Sequence, residues 1–301
     1  MTSASFRPLT LHTRDGVALA ARAYDPVAGR SGLAQGEALG RTPLAVLLVA
    51  AMGVPQRFYE SFACWLAQHG VAVLSFDWRG TGDSAPARLR GYRASLTDWA
   101  EHDLPAAAQA LFDRWPQAEP VYLGHSLGGQ LFGWLERPER FARLVTVAAG
   151  NGYWRLNAPA VRRKAPWLWW LLAPVGIAVA GYFPGRRLGV VGDLPAGAMW
   201  QWRRWCLHPD YLGAEGPALR ERYARVRVPI RAVLAEDDEL VSPAGVHRLY
   251  QLYAEAPVRF EALQPQALGL KRIGHFGAFQ PSAAPVLWPR LLQWLHGQAA
   301  A

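Results

Sequence analysis

Gly124-His125-Ser126-Leu127-Gly128-Gly129 follows directly on the apolar run Val121-Tyr122-Leu123. The run reads as a short buried strand. The segment Leu127 to Leu135 is compatible with a helix. Between them stands a G-x-S-x-G pattern, which as a bare pattern arises by chance and gains its meaning from a strand–turn–helix setting. A turn that sharp puts Ser126 in a strained backbone conformation. Gly124 and Gly128 let the strand and the helix approach closely, because neither carries a Cβ. The serine hydroxyl is thereby left exposed above the sheet, at a helix N-terminus.

On either side of this elbow, strands and helices alternate. Leu9–Thr13 and Val17–Tyr24 flank Arg14-Asp15-Gly16 and read as a β-hairpin. Pro26 to Pro43 is rich in Gly and Ala and reads as a surface loop. Strands are expected at Leu44–Ala50, Val71–Phe76, Val121–Gly124 and Leu144–Ala149. Helices are expected at Arg57–Gln68 and Leu96–Trp115. The rhythm stops at Gly150 and resumes with a strand at Ile230–Ala235. A helix at Pro243–Ala254, a strand at Val258–Leu263 and a helix at Ala284–His296 follow. Apolar strands separated by amphipathic helices imply an α/β fold, with a mostly parallel sheet covered on both faces. The core then comprises residues 1–150 and 229–301, and 151–228 is an insertion.

The 301 residues are 51% hydrophobic, enough for one large domain carrying an insertion. Cys64 and Cys206 lie far apart, with no metal-ligand spacing, so no disulfide framework is expected. Met1 to Thr13 lacks a basic segment followed by an apolar one, so no secretory signal is read there. The longest apolar stretch, Trp167 to Phe183, is interrupted by Pro174, Gly176 and Gly181. It falls short of the ~20 residues a membrane span needs. A cytoplasmic protein is the resulting expectation. The net charge of +9 is unevenly spread. Between Gly150 and Pro209, Arg155, Arg162, Arg163, Lys164, Arg186, Arg187, Arg203 and Arg204 face one acid, Asp193. No helix-turn-helix, zinc-finger or RNA-recognition signature accompanies them, so nucleic acid is not an expected partner. A solvated basic face is the simplest reading.

Asp77-Trp78-Arg79-Gly80-Thr81-Gly82-Asp83-Ser84 is similar to the D-x-R-G-x-G-x-S loop that follows the fourth strand of α/β-hydrolases. With the elbow in place, the chain resembles that superfamily over nearly its whole length. The nearest likeness is to bacterial serine hydrolases classed as predicted α/β-hydrolases. These carry a segment similar to Met52-Gly53-Val54-Pro55-Gln56-Arg57-Phe58-Tyr59 after the third strand, and a Trp-rich insertion. The resemblance implies an eight-stranded, mostly parallel sheet with a helical cap.

It also implies a triad. A serine hydroxyl is almost fully protonated at neutral pH. It needs a base within reach, and the base needs a carboxylate to orient it. In this superfamily the acid and then the His follow the nucleophile along the chain. Ala235-Glu236-Asp237-Asp238-Glu239-Leu240-Val241 resembles the family's G-x-x-D-x-x-V, with Ala235 replacing Gly. That makes Asp238 the acid, with Asp237 as runner-up and the neighbouring acids as solvated loop residues. Ile273-Gly274-His275-Phe276-Gly277 precedes the last helix and makes His275 the base. His125 reads as a packing residue, and His12, His69, His102, His208, His247 and His296 lie in no matching loop. An oxyanion hole needs two backbone N–H groups. Leu127 supplies one, and aligning Met52-Gly53 onto the family's X-Gly makes Met52 the other, although many members have His-Gly there. Asp77, Arg79 and Asp83 read as a supporting hydrogen-bond network, with Gly80 and Gly82 permitting its turn.

The insertion holds seven of the 14 Trp residues, at 154, 167, 169, 170, 200, 202 and 205. As a cap, it would use most of them to pack against the core and others to line an acyl pocket. The apolar stretch between Arg162-Arg163-Lys164 and Arg186-Arg187 also suits an anionic membrane surface, or an amphiphilic substrate with an acidic head group. The leading function is a serine carboxylic-ester hydrolase working through an acyl-enzyme, without metal or organic cofactor. Acyl transfer, thioester cleavage and aminopeptidase-like amide cleavage use the same triad. A catalytically silent binding protein would be expected to carry a degenerate triad. Dehalogenases and epoxide hydrolases place Asp where this chain has Ser126. Oligomeric state is not legible.

Overall fold

The tight turn at Arg14-Asp15-Gly16, with Gly16 at φ 82°, joins the first two strands, β1 (Arg7–His12) and β2 (Ala18–Tyr24). They pair antiparallel from Arg7 opposite Ala23 to His12 opposite Ala18. The computed structural model describes residues 6–27 and 42–298. The loop expected over Pro26–Pro43 lies largely outside them, as do the first five residues of the N-terminal stretch.

The other strands are β3 (Leu44–Val49), β4 (Ala72–Phe76), β5 (Glu119–His125), β6 (Arg143–Val147), β7 (Ile230–Ala235) and β8 (Val258–Leu263). They form one eight-stranded sheet in the order β1-β2-β4-β3-β5-β6-β7-β8. β1–β2 and β2–β4 are antiparallel, and every other pairing is parallel. The mostly parallel α/β architecture expected from the apolar runs is present.

Side-chain alternation divides the core into two layers. Ala45, Leu47 and Val49 of β3 share one layer with Leu74 and Tyr122. Leu44, Val46 and Leu48 share the other with Val73, Val121 and Leu123. Helix Leu104–Arg114 covers the first layer with Leu104, Ala107, Ala108 and Leu111. Helix Leu287–Leu295 covers the second with Leu287, Trp288, Leu291, Trp294 and Leu295, a stripe at helical spacing.

One helix departs from its sequence reading for a physical reason that recurs elsewhere in the chain. The single helix expected over Leu96–Trp115 contains a π turn at Trp99–Asp103, where the Leu104 N–H donates to the Trp99 carbonyl. Pro105 follows, and it has no N–H to continue the ordinary ladder. Between β6 and β7 the same device recurs. Helix Pro159–Trp167 passes through a π turn at Leu168–Leu172 into helix Ala173–Ala180. The Ala173 N–H donates to the Leu168 carbonyl, one residue before Pro174. The helix expected over Leu127–Leu135 is also shorter, spanning Leu127–Gln130 before tightening to a 3₁₀ turn at Leu131–Trp134.

The segment between β6 and β7 is mainly helical, with one antiparallel bridge between Phe183 and Leu194. After the helices just described come Ala196–Leu207 and Pro217–Ala224. Gln201 ties it to the core: its Oε1 accepts the Leu96 and Thr97 N–H groups, and its Nε2 donates to Thr97 Oγ1. Among the described residues no helix is long and apolar enough to cross a membrane.

Candidate active site

Ser126 sits where β5 ends, with φ 50° and ψ −118°. Few non-glycine residues adopt a positive φ, and a strained one is held only by its surroundings. Here the Ser126 N–H donates to the Val147 carbonyl at 2.9 Å, pinning the elbow to β6. A Cβ on Gly124 would lie 2.4 Å from the Gly129 backbone. One on Gly128 would lie 2.3 Å from the Val49 carbonyl oxygen. The two glycines therefore have distinct tasks. One lets strand and helix close on each other, and the other lets the elbow sit against the loop leaving β3.

That second contact brings two backbone donors to facing loops. Leu127 is the first helical residue, so its N–H has no intrahelical partner. Neither it nor the Met52 N–H donates to another group among the described residues. Gly53, beside Met52, meets the segment between β6 and β7: a Cβ there would lie 2.8 Å from the Gly192 backbone nitrogen.

Three successive acids after β7 grip the His loop. Asp237 accepts the Ile273 and Gly274 N–H groups, each at 2.9 Å. Asp238 Oδ2 meets His275 Nδ1 at 2.8 Å, while its Oδ1 accepts the Leu240 and Val241 N–H groups. Glu239 accepts the His275 N–H at 3.1 Å and pairs with Arg272 at 2.9 Å. Asp238 and His275 are both buried. A carboxylate only accepts, so His275 Nδ1 is the donor, and in the neutral imidazole Nε2 is the acceptor. The Ser126 side chain, half-buried, makes no hydrogen bond to His275 or to any other described residue.

Sequence reasoning missed how the loops are tied together. His125 Nε2 donates to the His275 carbonyl at 2.9 Å, and His125 Nδ1 lies 2.7 Å from the Tyr59 hydroxyl. A carbonyl cannot donate, so the proton is on Nε2 and Tyr59 Oη–H donates to Nδ1. Tyr59 Oη in turn accepts the Ala51 N–H at 3.0 Å. One buried chain thus links the His loop, the elbow and the residue before Met52. Burial, and then the nearby His275, hold the His125 pKa well below the usual 6.5, so it stays neutral. Burial likewise pushes the Tyr59 hydroxyl well above its usual range. Nothing in the sequence around Tyr59 signals this role. Nor does Glu239, read as solvated, advertise its bond to the His275 backbone.

The Asp77–Ser84 loop braces the site from below. Asp77 accepts the Gln56 and Asp83 N–H groups at 2.7 and 2.8 Å. Arg79 is 4% exposed and bonds both Asp103, fully buried, and Asp15. Trp78 and Trp99 stack beside them at 5.3 Å. These groups form a scaffold. Among the described residues no cluster of three or more His, Cys, Asp or Glu side chains is placed to hold a metal ion.

A family model described as serine aminopeptidase, S33, matches residues 41–179. Solved structures match almost end to end. The esterase domain of a Rhodothermus marinus protein is 18% identical, with 97% of this chain and 98% of that one covered and a TM-score of 0.57. A Pyrococcus furiosus esterase is 15% identical, with 97% and 90% covered and a TM-score of 0.60. A soluble variant of the Saccharomyces cerevisiae monoglyceride lipase, in complex with a substrate analogue, is 13% identical, with 100% and 97% covered and a TM-score of 0.65. No curated protein matches the chain. Sheet order and these likenesses give the chain the α/β-hydrolase fold, with the family model matching just under half of its residues.

Proposed function

We propose that the protein is a serine hydrolase that cleaves a carboxylic ester of a hydrophobic or amphiphilic substrate through an acyl-enzyme. The observation that carries this reading is the buried 2.8 Å contact of His275 Nδ1 with Asp238, in a loop tied through His125 to the strained Ser126 elbow. Ser126 Oγ attacks the ester carbonyl as His275 Nε2 takes its proton. The Met52 and Leu127 N–H groups hold the oxyanion. The tetrahedral intermediate collapses, and His275 returns the proton to the departing alcohol. Water then attacks the acyl-enzyme, giving its proton to His275, and Ser126 is regenerated. Asp238 orients His275 and stabilises its charged form. Residues 151–228 act as a cap, an arrangement supported by the close approach of Gly192 to Gly53 and of Pro195 to Gly80.

A second reading, amide cleavage on the same triad, is favoured by the aminopeptidase description of the matching family model. Fold and triad set the acylation machinery and not the bond cleaved. The test is hydrolysis of p-nitrophenyl esters from acetyl to palmitoyl, beside aminoacyl p-nitroanilides, with Ser126→Ala in parallel. Ester turnover that vanishes in the variant is the expected result. Turnover confined to anilides would assign the site to amides, and ester turnover unchanged by Ser126→Ala would overturn both readings.

A further inference from the structure

We propose that the inserted helical segment 159–180 docks the protein on an anionic lipid bilayer. Helices on a protein surface ordinarily turn an apolar stripe inward and a polar face outward. This one is apolar on both sides. Ala165, Trp169, Ala173 and Ile177 recur every four residues and are buried. Trp167, Leu171, Val175 and Val179 recur with the same spacing, offset by two, and are 66%, 45%, 51% and 71% exposed. Trp170, 53% exposed, widens the outer stripe. A contiguous exposed patch of this kind on a protein surface marks an interaction site.

The charges around the stripe choose the partner. Arg162, Arg163 and Lys164 stand at its start, all exposed, and among the described residues their side chains make no hydrogen bond or ion pair. At its far end Val179 and Tyr182 share a cavity with Arg88, Arg90, Arg186 and Arg187. Of these, Arg186 pairs with Asp193 at 3.6 Å and Arg90 donates to the Val179 carbonyl. Arg88 and Arg187 have no side-chain hydrogen bond or ion pair among the described residues. Both ends of the stripe are therefore cationic. A second copy of the chain laid on it, in either direction, would set cations against cations. An anionic bilayer satisfies both features, because the apolar side chains enter the acyl boundary while Arg and Lys reach head-group phosphates. Trp167 and Trp170 suit that boundary, where an indole keeps its ring in the apolar layer and its N–H wet. The segment would lie in the interface without crossing it.

The experiment is flotation of the full chain with vesicles of phosphatidylcholine alone, and with vesicles in which about one third is replaced by phosphatidylglycerol. The protein is expected to float with the anionic vesicles and to stay behind with the neutral ones. Val175→Asp, and separately the triple change Arg162→Glu, Arg163→Glu and Lys164→Glu, should each lower binding about tenfold or more. These positions are exposed, so melting by circular dichroism should not shift. Ser126→Ala should bind as the parent does, which separates docking from the hydrolase reading. Equal binding to neutral vesicles, or binding indifferent to both variants, would overturn the proposal. So would a lipid-free dimer, seen by light scattering, that Val175→Asp dissolves, for then the stripe belongs to a second copy.

Discussion

Two apolar runs in this protein meet opposite fates. Val121-Tyr122-Leu123 of β5 is wholly buried, with Tyr122 facing one layer of the core and its neighbours the other. The run from Trp167 to Val179 is at least as apolar, yet only every fourth residue reaches the interior. The difference lies in what surrounds them. A central parallel strand has partners on both edges and helices on both faces. A helix lying over the core has one covered side and one open side. Apolar composition therefore states a demand for burial, and topology decides whether this chain itself supplies the cover.

The comparison can be broken or sharpened by experiment. The largest effect is expected at the end of the buried run. Ser126→Ala should lower ester turnover by about 10⁶-fold and Asp238→Asn by about 10⁴-fold, read as kcat with the ester series. A fall below tenfold in either would remove that residue from the chemistry. Next, Leu123→Ala should cost about 2–5 kcal/mol by urea unfolding, whereas Leu171→Ala should stay within about 0.5 kcal/mol. Equal costs would mean the outer stripe is covered in solution.

Tyr59→Phe leaves His125 Nδ1 and the Ala51 N–H without their partner. A loss of about 1–3 kcal/mol follows from two stranded buried groups, again read by urea unfolding. It should be accompanied by a lower kcat if the chain of bonds positions the loops, and stability alone should fall if it does not. The last effect is a pH slope. His125 is neutral in the fold, its pKa held well below 6.5 by burial. In the unfolded chain it takes a proton as the pH falls through about 6.5, so the stability its neutrality confers is present above that pH and lost below it. From pH 6.5 to 5 the parent should lose up to about 1.4 kcal/mol per pH unit more than His125→Gln. Parallel curves for the two proteins would show that His125 is protonated without penalty.

Much of the fold was legible because it rests on local chemistry. Alternating apolar runs, the Arg14-Asp15-Gly16 turn and the paired glycines at 124 and 128 each state a backbone requirement in the residues themselves. The π turns were not read, although their cause is printed in the chain. Pro105 and Pro174 each follow a wide turn that relieves the missing N–H. Within the candidate site, the pairing of Asp238 rather than Asp237 with His275 was legible only through the spacing of a family motif. The structure gives the physical distinction: Asp237 is occupied by two backbone N–H groups of the same loop.

The sequence by itself determined where the chain must be sharp and where it must be buried. Glycine and proline fix the backbone locally, and apolar runs demand burial, wherever they stand. Only the tertiary structure decided which distant groups meet. Tyr59, His125 and the His275 carbonyl form one line of bonds across three loops. Glu239 turns from a surface acid into a brace for the His275 backbone. Half of an apolar helix is left facing out. These outcomes depend on how loops at the ends of adjacent strands pack together, and no local propensity specifies contacts at that range.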